Sequence, residues 1–345
     1  MGDTTAELAA GAPAQGRRPA APEGARCYDA TIVDDVREIL RRELPGLEEA
    51  VPLAPLCAYG VGGPAELLYV ARDTNALAFA VRLARQLELP LTVLGRGTNV
   101  LVGDEGLPGL VVLARGERRT LDDDVLRVEA GAELPGLVAD LAGQGLAGLE
   151  FAGNIPGSVG GAIVGNAGAY GRAVSDALLE VQFLDGRVER RATPASLGFG
   201  YRTSIFKSRP DLVVLAATFA LSHSDAAALR AEIAHDAERR RRKHPLGCAS
   251  CGSFFKNPSR ELPAARLIED AGLKGLTIGR AQVSAMHANF LVALEGATAA
   301  DILALAAEVK RRVFEQSGYR LEEEVRLLGV EPPGKDIPAG LLAAP

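Results

Sequence analysis

The chain has 345 residues, enough for roughly two or three packed units around a sizeable core. Its residues are 48% hydrophobic and 24% charged, which excludes both a disordered acidic chain and a fibrous repeat. The net charge of −6 argues against a general nucleic-acid binder, which carries a basic excess, and no apolar run approaches the ~20 residues of a membrane span.

Residues 1–26 are rich in Ala, Gly and Pro without periodicity and read as a disordered leader. They lack the apolar stretch of a secretory signal, which points to a cytoplasmic protein. A short helix is expected over 34–44, and AELLYV (65–70) reads as a strand. The first strong helix spans 73–89: Asp73 can cap it, Leu77, Val81, Ala84 and Leu87 recur at helical spacing, and Pro90 stops it. LTVL (91–94), GLVVLA (109–114) and VLRVEA (125–130) are short strands bounded by Gly, Pro or Asp. A helix over 134–141 leads into a stretch, 143–171, unusually rich in glycine.

Two further strands follow at 178–184 and 212–221, then a long helix over 224–242. That helix ends in the basic run 239–243, read as a solvated helix end that also suits its own C-terminal dipole. Helices over 262–271 and 298–317 flank the strand NFLVAL (289–294). Ile302, Leu305, Val309 and Val313 give the last helix its buried stripe, and Gly318 ends it. Strand and helix alternate throughout, as in an α/β or α+β protein.

Cys27, Cys57, Cys248 and Cys251 are too few for a disulfide scaffold and fit a reducing compartment. Cys248 and Cys251 form one CxxC, with His244 nearby but no second ligand pair, so they read as two small, partly buried thiols. None of His223, His235, His244 and His287 stands in a metal constellation with carboxylates, and no metal is expected.

Three segments carry more glycine and polar residues than packing explains. In LGRGTNV (94–100), two glycines flanking one residue let the backbone turn tightly, with amides available to cradle phosphate. The third glycine of the dinucleotide fingerprint is missing and no helix follows, so a Rossmann unit is excluded and a simple turn stays possible. The second segment is GNIPGSVGGA (153–162) followed by NAGAYG (166–171). Each of its glycines costs about 0.5–1 kcal/mol of chain entropy relative to Ala. Close approach to a flat or diphosphate-bearing cofactor accounts for them, with a glycine-kinked bend as the plainer alternative. The third is distributed: YRTS (201–204), GSFFKNP (252–258) and LEEEV (321–325), each commonplace alone.

In order, VLGRGTNVLV, GLEFAGNIPGSVGGAIVGNAGAYG, FGYRTSIFK, GCASCGSFFKNP, LIEDAGLKG…GRAQVSAMHANFLV and LEEEVRLLG resemble the UDP-N-acetylenolpyruvoylglucosamine reductase family, over about residues 50–330. The resemblance implies an α+β protein: a two-subdomain FAD-binding fold of the FAD-linked oxidase superfamily plus a smaller α/β substrate domain. The implied partition is 27–115 and 116–222 for FAD, 223–320 for substrate, 321–330 for a strand carrying the catalytic Glu, and 331–345 as a tail. It also implies FAD as cofactor, NADPH as co-substrate, a UDP-sugar substrate, a monomer in the cytoplasm, and no nucleic-acid, membrane or metal partner.

By the same resemblance, Arg202, Ser253 and Glu324 are the catalytic trio, able respectively to meet charge, give a proton and hydrogen-bond the substrate. Gly95, Arg96, Gly97, Thr98, Asn99 and Val100, with Gly153, Ile155, Gly157, Ser158, Gly161 and Ala162, would lie along FAD. Tyr201, Lys256, Asn257, Lys274, Gln282, His287 and Asn289 would face the substrate, although His287 in isolation reads as a hydrogen-bonded structural residue. The long tyrosine-bearing loop of one family form is not evident between Tyr201 and Arg239, which implies the shorter-loop form. Asn154 stands where the family most often has glycine, and Asn tolerates left-handed backbone angles. A different FAD-linked oxidase would have no reason to keep the trio together, and a non-catalytic flavin or nucleotide-sugar binder would not require Ser253 or Glu324.

Overall fold

A computed structural model describes residues 30–259 and 261–330; the leader 1–26 and the tail 331–345 lie outside the described residues. Helix α1, Ala30–Glu43, starts earlier than expected and belongs to a unit that ends at Glu43. The second unit begins at Leu44 and holds everything described below.

Its first part runs β1 (Glu48–Pro52), β2 (Pro64–Ala71), α2 (Thr74–Gln86), β3 (Leu91–Leu94), β4 (Val100–Val102) and β5 (Leu107–Ala114). Four strands form a sheet in the order β1-β2-β5-β3, with β5 parallel to both its neighbours and β1 antiparallel to β2. A central parallel strand is covered on both faces, which is why LPGLVVLA is apolar almost throughout and buried at every position but Pro108. Asp73 caps α2, its Oδ1 accepting from the Ala76 amide at 2.8 Å, and Leu77, Ala78, Ala80, Val81 and Ala84 face the core. The helix ends at Gln86, short of the expected 89, because Glu88 turns into the left-handed region (φ 53°).

The middle part comprises β6 (Arg119–Asp122), β7 (Val125–Glu129), α3 (Leu134–Gly143), β8 (Leu146–Ala147), α4 (Val159–Gly165), β9 (Gly168–Ala169) and β10 (Arg172–Ala173). It continues with β11 (Leu178–Asp185), β12 (Val188–Ala192), α5 (Ile205–Ser208), β13 (Leu212–Ala220) and β14 (Ser222–His223). An antiparallel sheet in the order β12-β11-β13-β7-β6 closes over Leu126, Val128, Phe151, Ile163, Phe206 and Phe219. Helix α4, inside the glycine-rich stretch, has no counterpart in the sequence reading. Glycine at 160 is required there by packing: a Cβ would lie 2.9 Å from the Ala130 Cβ beyond β7.

The last part comprises α6 (Ala226–Lys243), α7 (Ala264–Asp270), β15 (Thr277–Ile278), β16 (Ala281–Val283), β17 (Leu291–Ala293), α8 (Ala299–Ser317) and β18 (Arg326–Leu328). The antiparallel meander β15-β16-β17 and α8 share a core with Phe254, Phe255 and Leu321. Thr298 and Asp301 form a capping box at the start of α8, and Gly318 (φ 73°) closes its end. The chain then returns to the first part, where β18 pairs in parallel with β4.

Two sequence expectations need correction here. The basic run ending α6 is only partly solvated: Arg241 and Arg242 pair with Glu238 in water, but the Arg239 guanidinium lies 4.5 Å over the Tyr170 ring and Arg240 is half-buried. Cys248 is exposed, because it lies in a surface turn, whereas Cys251 is partly buried with its thiol donating to the Val100 carbonyl at 3.2 Å. No helix among the described residues is long and apolar enough to cross a membrane.

Candidate active site

Residues 95–99 connect β3 to β4 by a tight turn centred on Gly97 (φ 66°), whose carbonyl accepts from the Ala58 amide at 3.0 Å. A Cβ at Gly97 would fall 2.0 Å from the Leu56 carbonyl oxygen, so only glycine fits. Arg115 reaches back with Nη1 to the Gly95 carbonyl at 2.7 Å, and Arg96 forms an ion pair with Glu117.

The second glycine loop meets the first. A Cβ at Gly95 would collide with the Ser158 hydroxyl, 2.2 Å away, and Thr98 donates its hydroxyl to the Pro156 carbonyl at 3.1 Å. Gly157 (φ 142°) precedes Ser158, which caps α4 by accepting from the Gly161 amide at 3.3 Å. Asn154 is not in the left-handed region; its side chain instead donates to the Ile233 carbonyl at 2.9 Å and ties the loop to α6. The tolerance of Asn for left-handed angles is therefore not what this position uses.

Among the described residues, the main-chain amides of Arg96, Gly97, Thr98, Asn99, Gly157 and Ser158 donate to no main-chain acceptor. Two adjoining turns of unpaired N–H groups are the donor set that a dinucleotide pyrophosphate needs, so the residues present fit FAD.

The trio is assembled from three distant segments. Arg202 sits at the tip of a two-residue hairpin closed by Gly200 and Thr203, whose amides donate to each other's carbonyls at 3.1 and 3.3 Å. Its φ of 54° is left-handed, a conformation that costs a non-glycine residue on the order of 1 kcal/mol and persists only when its surroundings impose it. They do: Asn166, the left-handed cap of α4, donates to the Gly200 carbonyl at 2.9 Å, and Ser204 donates to the Val164 carbonyl at 2.8 Å.

Glu324 precedes β18. The ladder that pairs Arg326 with Val100 places Asn99 beside it, and Asn99 donates from Nδ2 to the Glu324 carbonyl at 3.3 Å. On its other side Glu324 donates its amide to the Phe254 carbonyl at 2.8 Å, next to an antiparallel bridge between Phe255 and Glu323. Ser253 is the residue before Phe254 and follows Gly252 (φ 81°), so the hydroxyl-bearing segment and the glutamate share one short ladder.

Arg202 Nε lies 2.9 Å from Glu324 Oε1, with side chains 28% and 13% exposed. The Nε–H is not aimed at that oxygen and is left as an unpaired buried donor, so the contact is a charge pairing rather than a hydrogen bond. Burial pushes the Glu324 carboxyl above the usual carboxylate range, opposed by Arg202, Lys207 and Lys256.

The other sequence-derived candidates divide. Tyr201 is exposed beside Arg202, and Lys256 lies near Glu324 with Nζ 3.0 Å from Glu322 Oε2. Asn257 accepts from the Ala264 amide at 3.0 Å at the start of α7. Asn289 is 2% exposed, and both ends of its amide are taken by the Phe255 main chain, at 2.9 and 2.8 Å; it holds the Ser253 segment and has no free group for substrate. Lys274 pairs with Glu269 at 2.7 Å, Gln282 donates to Thr277 Oγ1 at 3.0 Å, and His287 accepts from the Asn289 amide at 3.3 Å. None of these three bonds to Arg202, Ser253 or Glu324.

Sequence reasoning missed the parts that Asn166 and Lys207 play around Arg202. Lys207 stood inside a quoted motif, five residues from Arg202, but proximity along the chain did not show which way it turns.

A pair of adjoining glycine turns with unpaired amides, beside the half-buried Arg202, Ser253 and Glu324, fits a flavin-binding oxidoreductase. Residues 65–190 match the FAD binding domain, and residues 244–328 match the C-terminal domain of UDP-N-acetylenolpyruvoylglucosamine reductase. A reductase of that name from Rubrobacter xylanophilus is 45% identical, over 84% of this chain and 98% of its own. One from Gloeobacter violaceus is 43% identical, over 82% and 96%. The crystal structure of UDP-N-acetylenolpyruvylglucosamine reductase from Thermus caldophilus superimposes with a TM-score of 0.70 at 37% identity, covering 82% of this chain and 98% of that one. The chain belongs to the UDP-N-acetylenolpyruvoylglucosamine reductase family.

Proposed function

We propose that the chain reduces UDP-N-acetylglucosamine enolpyruvate to UDP-N-acetylmuramate, a cytoplasmic step of peptidoglycan precursor synthesis, as a monomer using NADPH. The observation that carries this reading is the convergence of Arg202 and Glu324, 2.9 Å apart, with the Ser253 segment and the nucleotide loop at Asn99. FAD held by the Gly95–Val100 and Gly153–Ala162 loops would supply hydride chemistry, with NADPH as its reductant and the terminal methylene carbon of the enol ether as the acceptor.

Negative charge then develops toward the substrate carboxylate. The Arg202 guanidinium, held by an imposed backbone, meets that charge. The adjacent α-carbon needs a proton, and Ser253 gives it from Oγ. Glu324, whose burial favours the protonated form, hydrogen-bonds the enol or carboxyl oxygen and offsets Arg202 when ionised. Lys256 and Tyr201 line the approach to this pair. In this reading residues 27–222 hold FAD through Gly95–Val100 and Gly153–Ala162 loops, and residues 223–320 close over the sugar nucleotide.

The test is direct. Purified protein should be yellow, and should oxidise NADPH catalytically only when given UDP-N-acetylglucosamine enolpyruvate. Turnover with an alcohol or aromatic donor in place of that substrate would favour a different FAD-linked oxidase, and a colourless protein that takes up no FAD would leave only a non-catalytic nucleotide-sugar binder.

A further inference from the structure

Lys207 belongs to none of the roles assigned above, yet it touches two of the residues that carry them. It lies on α5, a single turn pinned by Phe206, whose ring packs edge-on against Phe183 with centroids 5.3 Å apart. From there Nζ donates to the Arg202 carbonyl at 3.4 Å and to the Glu324 carbonyl at 3.4 Å. These carbonyls belong to segments 122 residues apart in sequence, the hairpin tip and the approach to β18 (324 − 202 = 122).

The charged groups around Nζ are Lys256, Glu324, Arg202 and Arg326, three cations and one carboxylate. An ammonium in that company is repelled more than attracted, and half-burial also strips its water. Surface solubility does not call for a lysine there, and an apolar residue would fill the space with less penalty.

We propose that Lys207 is a positioning residue for the substrate-reducing half of the reaction, its ammonium clamping the main chains of Arg202 and Glu324 so that the two side chains stay in register. The inference rests on the reductase reading. Its two donations are long and individually weak, but together they fix the relative height of a guanidinium and a carboxyl that no covalent neighbour connects. The same ammonium, with Arg202 and Lys256, makes up the cations facing the Glu324 carboxyl.

The test compares wild type, Lys207→Met, Lys207→Gln and Lys207→Arg, each loaded with FAD, in two half-reactions. One is bleaching of the flavin by NADPH alone. The other is reoxidation of dithionite-reduced flavin by UDP-N-acetylglucosamine enolpyruvate, followed across pH. A displacement of about 1 Å at a reacting group costs on the order of 100-fold. The Met variant should therefore lose about 100-fold in reoxidation while bleaching is unchanged, and the Arg variant should recover most of that loss. Removing a neighbouring cation favours the protonated carboxyl, so the pH limb that reports Glu324 should move to higher pH in the Met and Gln variants and stay in place in the Arg variant. If Met does not retain FAD, Gln, which keeps a donor without the charge, carries the same comparison. Unimpaired reoxidation in the neutral variants, or equal losses in all three with an unmoved limb, overturns the proposal. A wild type that the enolpyruvyl substrate cannot reoxidise overturns the reductase reading instead.

Discussion

At the scale of single residues, the site is defined by what each side chain has left over. Arg202 spends its charge on Glu324 but keeps an unaligned Nε–H, whereas Asn289, equally polar, has nothing left once both ends of its amide are bonded to Phe255. Asn289 therefore holds the Ser253 segment, while Arg202 is tied to Glu324 by charge alone. Ser253 stands between Gly252 and the buried Phe254, and its hydroxyl makes no hydrogen bond to a described residue, which leaves it available for the proposed proton-donor role. Replacing Ser253 by Ala removes one oxygen from a half-buried position, and the fold should not register it. Flavin bleaching by NADPH in that variant should match wild type, while reoxidation by substrate should fall by about 100-fold or more, the usual scale of general acid catalysis. Stopped-flow absorbance separates the two; equal loss in both would remove Ser253 from the proton-transfer role.

At the scale of elements, the glycine turns show where the proposed cofactor loops need glycine rather than any other residue. Gly97 and Gly171 make a controlled pair, because both have positive φ, 66° and 84°, but only Gly97 has a carbonyl where its Cβ would be. Gly171 lies at the open tip between β9 and β10, with nothing within 4 Å of that position. Gly171→Ala should cost about 1 kcal/mol of backbone strain and leave FAD binding intact. Gly97→Ala must also displace the Leu56 backbone, and the recovered protein should carry less than about a tenth of the wild-type FAD, a loss of roughly 1.4 kcal/mol or more in binding. The flavin-to-protein absorbance ratio and the unfolding temperature measure both effects. Equal FAD occupancy in the two variants would mean that the first turn does not shape the cofactor site.

At the scale of the whole molecule, acid stability follows from a buried histidine. The His244 ring packs 4.9 Å from Phe290 and 5.2 Å from His287, and burial, with Arg240 and His287 nearby, holds its pKa down from 6.5 to about 4. A lowered folded-state value means that the unfolded chain binds the proton first. The stabilisation is thus complete above pH 6.5 and is lost as pH falls from 6.5 to about 4; His287, also lowered by burial, acts in the same direction. Because the His244 ring is only half-buried, screening reduces the effect to about 1 kcal/mol. Urea midpoints at neutral pH and near pH 4.5 should fall by less in His244→Phe, which keeps the ring packing, than in wild type. An identical fall in both would assign the acid sensitivity elsewhere.

Much of this was legible one-dimensionally, for local reasons. The Asp73 cap, the stripe of Ile302, Leu305, Val309 and Val313, the Gly318 stop and the short apolar strands all follow from periodicity and capping within a few residues. The two glycine loops stood out because packing does not explain so much glycine, whereas the Arg, Ser and Glu motifs, each commonplace alone, took their expected roles only from the family resemblance. Helix α4 was hidden, since glycine argues against helix and the Ser158 cap with buried Val159, Ala162 and Ile163 overrides that preference. What tertiary structure alone decided is which distant segments meet: β18 on β4, the Arg202 hairpin on α4, and Lys207 between Arg202 and Glu324. The physical reason is that capping and amphipathic spacing act between neighbours along the chain, whereas these contacts depend on how separate cores stack, a matter of long-range closure that no local pattern encodes.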